Sequence, residues 1–169
     1  LAMESSDAQY GVSYTNYQRI SDGEIVKVSS EKSSGYQLVN GLARNLFIHP
    51  GSNLMVRADI LDEVGTFNES ISYNEDFELL VRILKKYKLL HVDYMGLTVD
   101  VTPVSKYSNQ PDYYSMAKAY QDITRDLFLT LSDDDQSKVL KLIGLQLIYQ
   151  MIKTKKYLTV FRIKKEYGK

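Results

Sequence analysis

The feature that most constrains the fold is the apolar spacing between residues 75 and 84. Four apolar residues fall at i, i+3, i+4 and i+7: Phe77, Leu80, Val81 and Leu84. This spacing predicts an α-helix with one buried face, so the acidic pair Glu75-Asp76 is expected to open a helix that packs on a core. Ser72 and Glu75 have the spacing of a capping box, and carboxylates in a first helical turn favour the positive end of the helix dipole. Taken alone, the pair indicates capping.

The segment before this helix is dense in local signals. After the Pro50-Gly51 break, residues 54–56 predict a short strand. Residues 58–64 predict a brief helix that ends at Gly65, since glycine is favoured just past a helix C-terminus. Phe67 is expected to be an apolar anchor, followed by a polar loop.

This order of elements resembles the acceptor-side half of the family 2 glycosyltransferases of GT-A fold. In that family a small-residue turn, an apolar strand, a short helix, Gly-x-Phe-(Asn/Asp)-Glu and Glu-Asp opening an amphipathic helix follow one another. The matching elements here are Gly51-Ser52-Asn53, residues 54–56, residues 57–64, Gly65-Thr66-Phe67-Asn68-Glu69 and Glu75-Asp76. The resemblance covers roughly residues 7 to 110 and implies that the nucleotide-binding half lies upstream.

The rest of this region predicts a hairpin, a helix and two strands. GVSYTNYQRI reads as a strand, Ser21-Asp22-Gly23 as a turn and EIVKVSS as the returning strand. Helical spacing predicts a short helix between Ser33 and Asn45, carried by Tyr36, Val39, Leu42 and Ala43. Residues 89–92 predict one strand, and the alternation over 97–101 predicts a second.

The end of that second strand bears on metal binding. Many members of the family carry Arg-x-His-Pro there, and the histidine completes a metal site, whereas this chain has Asp100-Val101-Thr102-Pro103. Threonine is a poor metal ligand. The resemblance implies a divalent metal, Mg²⁺ or Mn²⁺, in the full-length parent and none for this fragment alone. Asp100 is a speculative ligand, and its alternative is an ordinary solvent-facing strand residue.

Four residues near the small-residue turn are candidate substrate-binding residues, because the resemblance places this loop on the acceptor side of the cleft: His49, Gly51, Ser52 and Asn53. A loop histidine is more often a surface residue than a functional one. His91 lies within an apolar run and is interpreted as a hydrogen-bonded histidine at a strand edge.

Beyond Pro111 the chain is predicted to be helical. One face is marked by Tyr113, Met116, Ala117, Tyr120, Ile123, Leu127 and Leu131. Ser132 then caps another helix, whose apolar face is Leu140, Ile143, Leu147 and Met151. The run Asp133-Asp134-Asp135 opens this helix and is interpreted as structural. We therefore predict an α/β fold with a mixed sheet: residues 1–110 as the acceptor-side part of a GT-A domain, and 111–169 as a helical extension with a basic tail.

Charge and composition limit the partners. The net charge is zero, so no global electrostatic argument favours nucleic acid, and the lack of cysteine excludes disulfides and Cys-built zinc sites. Residues 151–169 carry a formal charge of +6, and interleaved apolar side chains make the tail compatible with an anionic membrane surface. The alternative is a solvated helix that caps the domain. We expect a cytoplasmic location, with peripheral attachment to the inner face of the membrane as the variant that the tail suggests.

The resemblance implies an activity for the parent protein. It is an inverting glycosyltransferase that transfers a sugar from a nucleotide-sugar donor to a hydroxyl of a glycan or lipid-linked acceptor, in polysaccharide or cell-envelope biosynthesis. The acceptor hydroxyl must lose its proton, so a carboxylate within reach is required. By position Asp76 is that base, and Glu75 supports it or contacts the acceptor. The alternative is a non-catalytic glycan- or partner-binding module of the same fold. The fragment alone is expected to be inactive.

Overall fold

The structure is a computed structural model that describes residues 8–29, 32–46, 48, 50–71, 73–101, 113–153, 163 and 166–167. The chain divides into two compact units. The first consists of Leu1–Leu38 and Leu46–Gln110, and the second of Val39–Asn45 and Pro111–Lys169. Helices and strands both occur, which confirms the α/β class.

The helices and strands follow one another along the chain in this order: β1 (Tyr10–Ser21), β2 (Glu24–Val28), α1 (Leu38–Leu42), α2 (Pro50–Asn53), β3 (Leu54–Val56), α3 (Ala58–Val64), α4 (Glu75–Leu84), β4 (Lys88–Asp100), α5 (Tyr113–Ile123), α6 (Arg125–Leu129) and α7 (Asp133–Lys153).

Strand β1 is the centre of the sheet in the first unit. Its N-terminal half pairs antiparallel with β3, and its C-terminal half pairs antiparallel with β2. Strand β4 runs parallel to β1 from Tyr10 to Ile20, along the opposite side. The predicted hairpin is confirmed: Asp22 and Gly23 have φ angles of 51° and 83°, the left-handed geometry of a two-residue hairpin turn.

The prediction of two separate strands after α4 is wrong, because β4 is continuous. Its register against β1 shifts on either side of Asn16, so the extra residues around Asp93 and Gly96 are absorbed as irregularities rather than ending the strand. Gly96 permits this close approach, since a Cβ built there would lie 2.3 Å from Thr15 Oγ1.

Helices α3 and α4 confirm the predictions for residues 58–64 and 75–84. Helix α3 ends at Gly65, which has a φ angle of 82°. All four predicted residues of the α4 face are buried, and α4 buries Leu79 and Ile83 as well. Together with residues of β1, β4 and α3 they form the core of the first unit, whose fully buried members include Val12, Ile60, Leu80, Val81, Ile83 and Leu89.

Two predictions next to α4 are wrong. Phe67 is not an apolar anchor, because 55% of its surface is exposed. The capping box is not formed either: the N-cap of α4 is Asn74, in the left-handed conformation and without a side-chain cap hydrogen bond. Glu75 is consequently the first helical residue rather than the third, and Ser72 lies outside the described residues.

The predicted helix between Ser33 and Asn45 is shorter than its apolar spacing suggests. Gly35 pairs with Leu89 through two backbone hydrogen bonds, of 2.8 and 2.9 Å. This bridge holds the chain extended, so Tyr36 stays outside α1 and is 71% exposed. Leu42 and Ala43 are buried, as their spacing predicts.

In the second unit the predicted helix over 113–131 is divided into α5 and α6. At the division, the Thr124 hydroxyl donates to the Tyr120 carbonyl over 2.8 Å, a side-chain bond that competes with regular helix geometry and bends helices. Ala117 and Tyr120 are buried as predicted.

Helix α7 confirms the predicted cap, since the Asp135 amide donates to Ser132 Oγ over 3.2 Å. Lys138 pairs with Asp134 and Asp135 on the surface, which fits the structural interpretation of the aspartate run. Ile143, Leu147 and Met151 are buried as predicted. Leu140 is 37% exposed, however, and Val139 takes its place on the buried face.

The basic tail lies largely outside the described residues. Of its interleaved apolar side chains, Ile163 is described and fully buried, so it is not available to a membrane surface. Tyr167 is also buried, and Glu166 accepts hydrogen bonds from Tyr114 and Lys118. In the described part of the chain, no helix is long and apolar enough to cross a bilayer.

Candidate functional site

The first turn of α4 lies beside the small-residue segment in α2. Asp76 Oδ2 is so close to Gly51 that a Cβ built on the glycine would lie 3.3 Å from this oxygen. The other oxygen, Oδ1, accepts a 2.7 Å hydrogen bond from the Phe77 amide. The carboxylate therefore satisfies one of the unpaired amides of the helix start and presents its second oxygen towards α2.

The structure thus brings two of the predicted site residues together, Asp76 and Gly51. Asp76 is half-buried, whereas Glu75, Gly51 and Ser52 are exposed. Neither Glu75 nor Asp76 forms an ion pair within the described ranges. An unpaired carboxylate with one oxygen partly shielded from water can accept a proton from a ligand hydroxyl that approaches over Gly51.

Asn53, a predicted substrate-binding residue, also connects α2 to the sheet. Its Nδ2 donates a 2.7 Å hydrogen bond to the Thr15 carbonyl of β1. This hydrogen bond therefore links the end of α2 to the central strand. It helps to position Gly51 and Ser52 relative to the start of α4.

A largely buried ion pair lies on α4, and its arginine also joins the helix to the loop after α3. Arg82 donates to both oxygens of Glu78, over 2.7 and 2.9 Å, and the two side chains are only 23% and 10% exposed. The same guanidinium donates to the carbonyls of Val64 and Thr66. The loop after α3 is therefore anchored by Arg82 rather than by Phe67. We define Arg82, Glu78 and these two carbonyls as the Arg82 clamp. The sequence carried a signal for the pair, the i, i+4 spacing of opposite charges on one helix, but not for the two carbonyls.

Asn74 is a second feature of this helix start that the sequence did not reveal. It has a φ angle of 65° and is 8% exposed, and its Nδ2 has no hydrogen-bond partner among the residues that the structure describes. Asparagine tolerates the left-handed conformation better than most residues, which explains the residue type. The sharp turn that it makes directs the following Glu75 and Asp76 into the helix.

His91 confirms the interpretation as a hydrogen-bonded strand histidine. Its Nε2 lies 2.8 Å from Asn16 Oδ1, and its ring packs against Tyr14 with 5.1 Å between centroids. Asn16 also donates to Asp93, which pairs with Lys32 over 2.6 Å. Burial and then the Lys32 charge lower the pKa of His91, although Asp93 opposes them. The hydrogen bond from Lys32 is the main cause that lowers the pKa of Asp93.

Asp100 is the described residue that was predicted as a speculative metal ligand. Asp100 is the last residue of β4 and is exposed. No group of three or more His, Asp or Glu side chains that could hold a metal ion occurs in the described part of the chain. His49, Thr102 and Pro103 lie outside it.

The chain matches no model of a known protein family, and no curated protein is similar to it in sequence at a significant level.

Proposed function

We propose that this chain is the acceptor-side part of an inverting glycosyltransferase. Asp76 acts as the general base, and the acceptor binds on the exposed surface of Gly51 and Ser52. The observation that carries the proposal is the position of Asp76 Oδ2 beside Gly51, where a Cβ would lie 3.3 Å from this oxygen. Because glycine leaves that space open, a ligand hydroxyl can occupy it within reach of the carboxylate.

The reaction makes one demand on this site. The acceptor oxygen attacks the anomeric carbon of the donor sugar as the bond between that carbon and the phosphate oxygen breaks, and the nucleoside diphosphate leaves with the bonding electrons. The hydroxyl proton passes to Asp76. A base for this step has to be rigid and close to the hydroxyl, and α4 provides the rigidity through its buried face and the Arg82 clamp. Glu75, exposed on the same turn, contacts the acceptor.

The described residues hold no cluster of three or more side chains that could bind a metal ion, and the divalent metal of the full-length parent stays a prediction. We therefore assign no step to a metal. The nucleotide-sugar donor is bound by residues outside this chain, and the expectation of a membrane-surface role for the basic tail stays a prediction.

The test is Asp76→Asn in a polypeptide that contains this chain together with its donor-binding half. Asparagine caps helices nearly as well as aspartate, and its Oδ1 can still accept from the Phe77 amide. Stability is therefore expected to stay unchanged. Loss of a general base is expected to lower kcat by about 10²-fold or more, with donor binding nearly unchanged. The activity is read from a screen of nucleotide sugars against glycan and lipid-linked acceptors.

Two further variants make the test specific. Glu75→Gln, on the same turn, is expected to cost less than Asp76→Asn. Gly51→Ala keeps every charge but places a methyl group 3.3 Å from Asp76 Oδ2, and is expected to raise the KM for the acceptor. If Asp76→Asn keeps more than about a tenth of kcat, the base assignment fails. Acceptor binding without turnover by the unaltered protein would instead support the non-catalytic module.

A further inference from the structure

The second unit contains a cavity of about 320 Å³ between α1, α5, α6 and α7. Its volume lies at the lower end of the range of small-molecule sites. Its apolar wall consists of Leu42, Phe128, Leu129, Val139, Leu140 and Ile143. Leu129 and Leu140 are partly exposed, at 58% and 37%, so the cavity opens to solvent beside them.

The polar part of this cavity lies at the division between α5 and α6. Thr124 itself, with Gln121 and Asp122 before it and Arg125 after it, lines the cavity along the edge where α5 passes into α6. The Thr124 hydroxyl bonds back to the Tyr120 carbonyl at this division. Both charged residues border the apolar wall of the same cavity.

Two charged side chains along this edge form no ion pair within the described residues. Asp122 and Arg125 are close to one helical turn apart, and both are exposed. Gln121 beside them has its Oε1 fixed by the Tyr167 hydroxyl over 2.9 Å, and its Nε2 is buried. The edge therefore offers one anion and one cation to a ligand in the cavity.

We propose that this cavity binds a small zwitterion with an apolar body, of the type of an aromatic or branched α-amino acid. The apolar body enters among Phe128, Val139 and Ile143. The carboxylate pairs with Arg125, and the ammonium group pairs with Asp122. A simple carboxylic acid fits less well, because Asp122 would repel its charge.

Three matched probes test this with the 169-residue chain: L-phenylalanine, N-acetyl-L-phenylalanine without the cation, and L-phenylalanine amide without the anion. Titration calorimetry or ligand-observed NMR measures their affinities. We expect L-phenylalanine to bind with a Kd below about 1 mM and each derivative about tenfold more weakly, since charge-assisted hydrogen bonds contribute about that factor or more. Equal affinity for the three probes, or no saturable binding of L-phenylalanine up to about 10 mM, would overturn the proposal.

Variants locate the binding in the cavity. Arg125→Gln is expected to weaken L-phenylalanine binding about tenfold and to leave the amide almost unaffected, while Asp122→Asn spares the N-acetyl derivative. Leu140→Trp narrows the mouth and is expected to abolish binding. Leu145→Trp is its control, because Leu145 is 56% exposed on α7 and does not line the cavity. Equal loss in both tryptophan variants, or unchanged binding in both, would contradict the assignment. The probe series on the unaltered chain decides the proposal even if a variant fails to fold.

Discussion

The Arg82 clamp makes the sharpest prediction about stability, because one side chain joins a helix to the loop after α3. We consider Arg82→Met, which keeps the apolar stem and removes the charge. The change leaves the Glu78 carboxylate, 10% exposed, without its two donors, and it removes the donors of the Val64 and Thr66 carbonyls.

The magnitude follows from this count of lost partners. Removing one member of a buried ion pair costs about 3–5 kcal/mol, because it leaves an uncompensated charge. Since Arg82 is itself 23% exposed, water replaces part of the loss, and we expect the lower end, about 3 kcal/mol. With a urea slope of about 1–3 kcal/mol per M, the midpoint of the first unit falls by about 1–3 M. Arg82→Lys keeps the charge but lacks the planar guanidinium group. Its urea midpoint should therefore lie between those of the unaltered chain and Arg82→Met.

Urea unfolding by circular dichroism, with hydrogen exchange of the α4 and β1 amides, measures the effect in the first unit. The double variant Glu78→Leu with Arg82→Met is expected to recover most of the loss, because apolar residues can replace a buried pair at little cost. Lys86→Met is the control in the same unit, since Lys86 pairs with Glu63 on the surface; no measurable shift is expected. A cost of less than about 1 kcal/mol for Arg82→Met, or no recovery in the double variant, would refute this reasoning.

Three further predictions concern the first unit. Phe77→Ala is expected to lower the free energy of unfolding by about 3–5 kcal/mol, and Phe67→Ala by less than about 0.5 kcal/mol; comparable losses in urea unfolding would show that the loop is anchored differently. Asn74→Gly is expected to be at least as stable as the unaltered chain, and about 1 kcal/mol more stable than Asn74→Ala, so equal midpoints would argue against the left-handed turn. Because burial lowers the pKa of His91 below its ordinary value of 6.5, the unfolded chain takes up this proton first as the pH falls. Stability should therefore decrease below about pH 6.5 until the folded pKa is passed. His91→Gln should remove that decrease, and an NMR titration midpoint above 6.5 would contradict it.

Local signals in the sequence determined much of the first unit. The turn at Asp22-Gly23, the stop at Gly65 and the apolar spacing of α4 each depend on a few neighbouring residues, whose backbone preferences and periodicity act without regard to the rest of the chain. The same holds for the cap at Ser132. The pairing of the strands was harder to predict from the sequence. Strand β4 continues through Asp93 and Gly96 because it pairs with β1, and the register between the two strands shifts there.

Partnerships across the chain were decided by the tertiary structure. The sequence predicted that Asp76 opens a helix, but only the packing of α2 against α4 places its Oδ2 beside Gly51. The helical spacing of Glu78 and Arg82 is visible in the sequence, but the loop carbonyls that the guanidinium also binds are not. Phe67 was expected in the core because it is apolar, but it is exposed, and the Arg82 clamp holds that loop instead. In the same way, the spacing of residues 113–131 predicted one helix, whereas the structure divides it at Thr124, and the cavity lies along this division. Backbone preference and periodicity can be read from neighbouring residues, whereas a side chain's choice among distant acceptors depends on which of them the fold brings within hydrogen-bond distance.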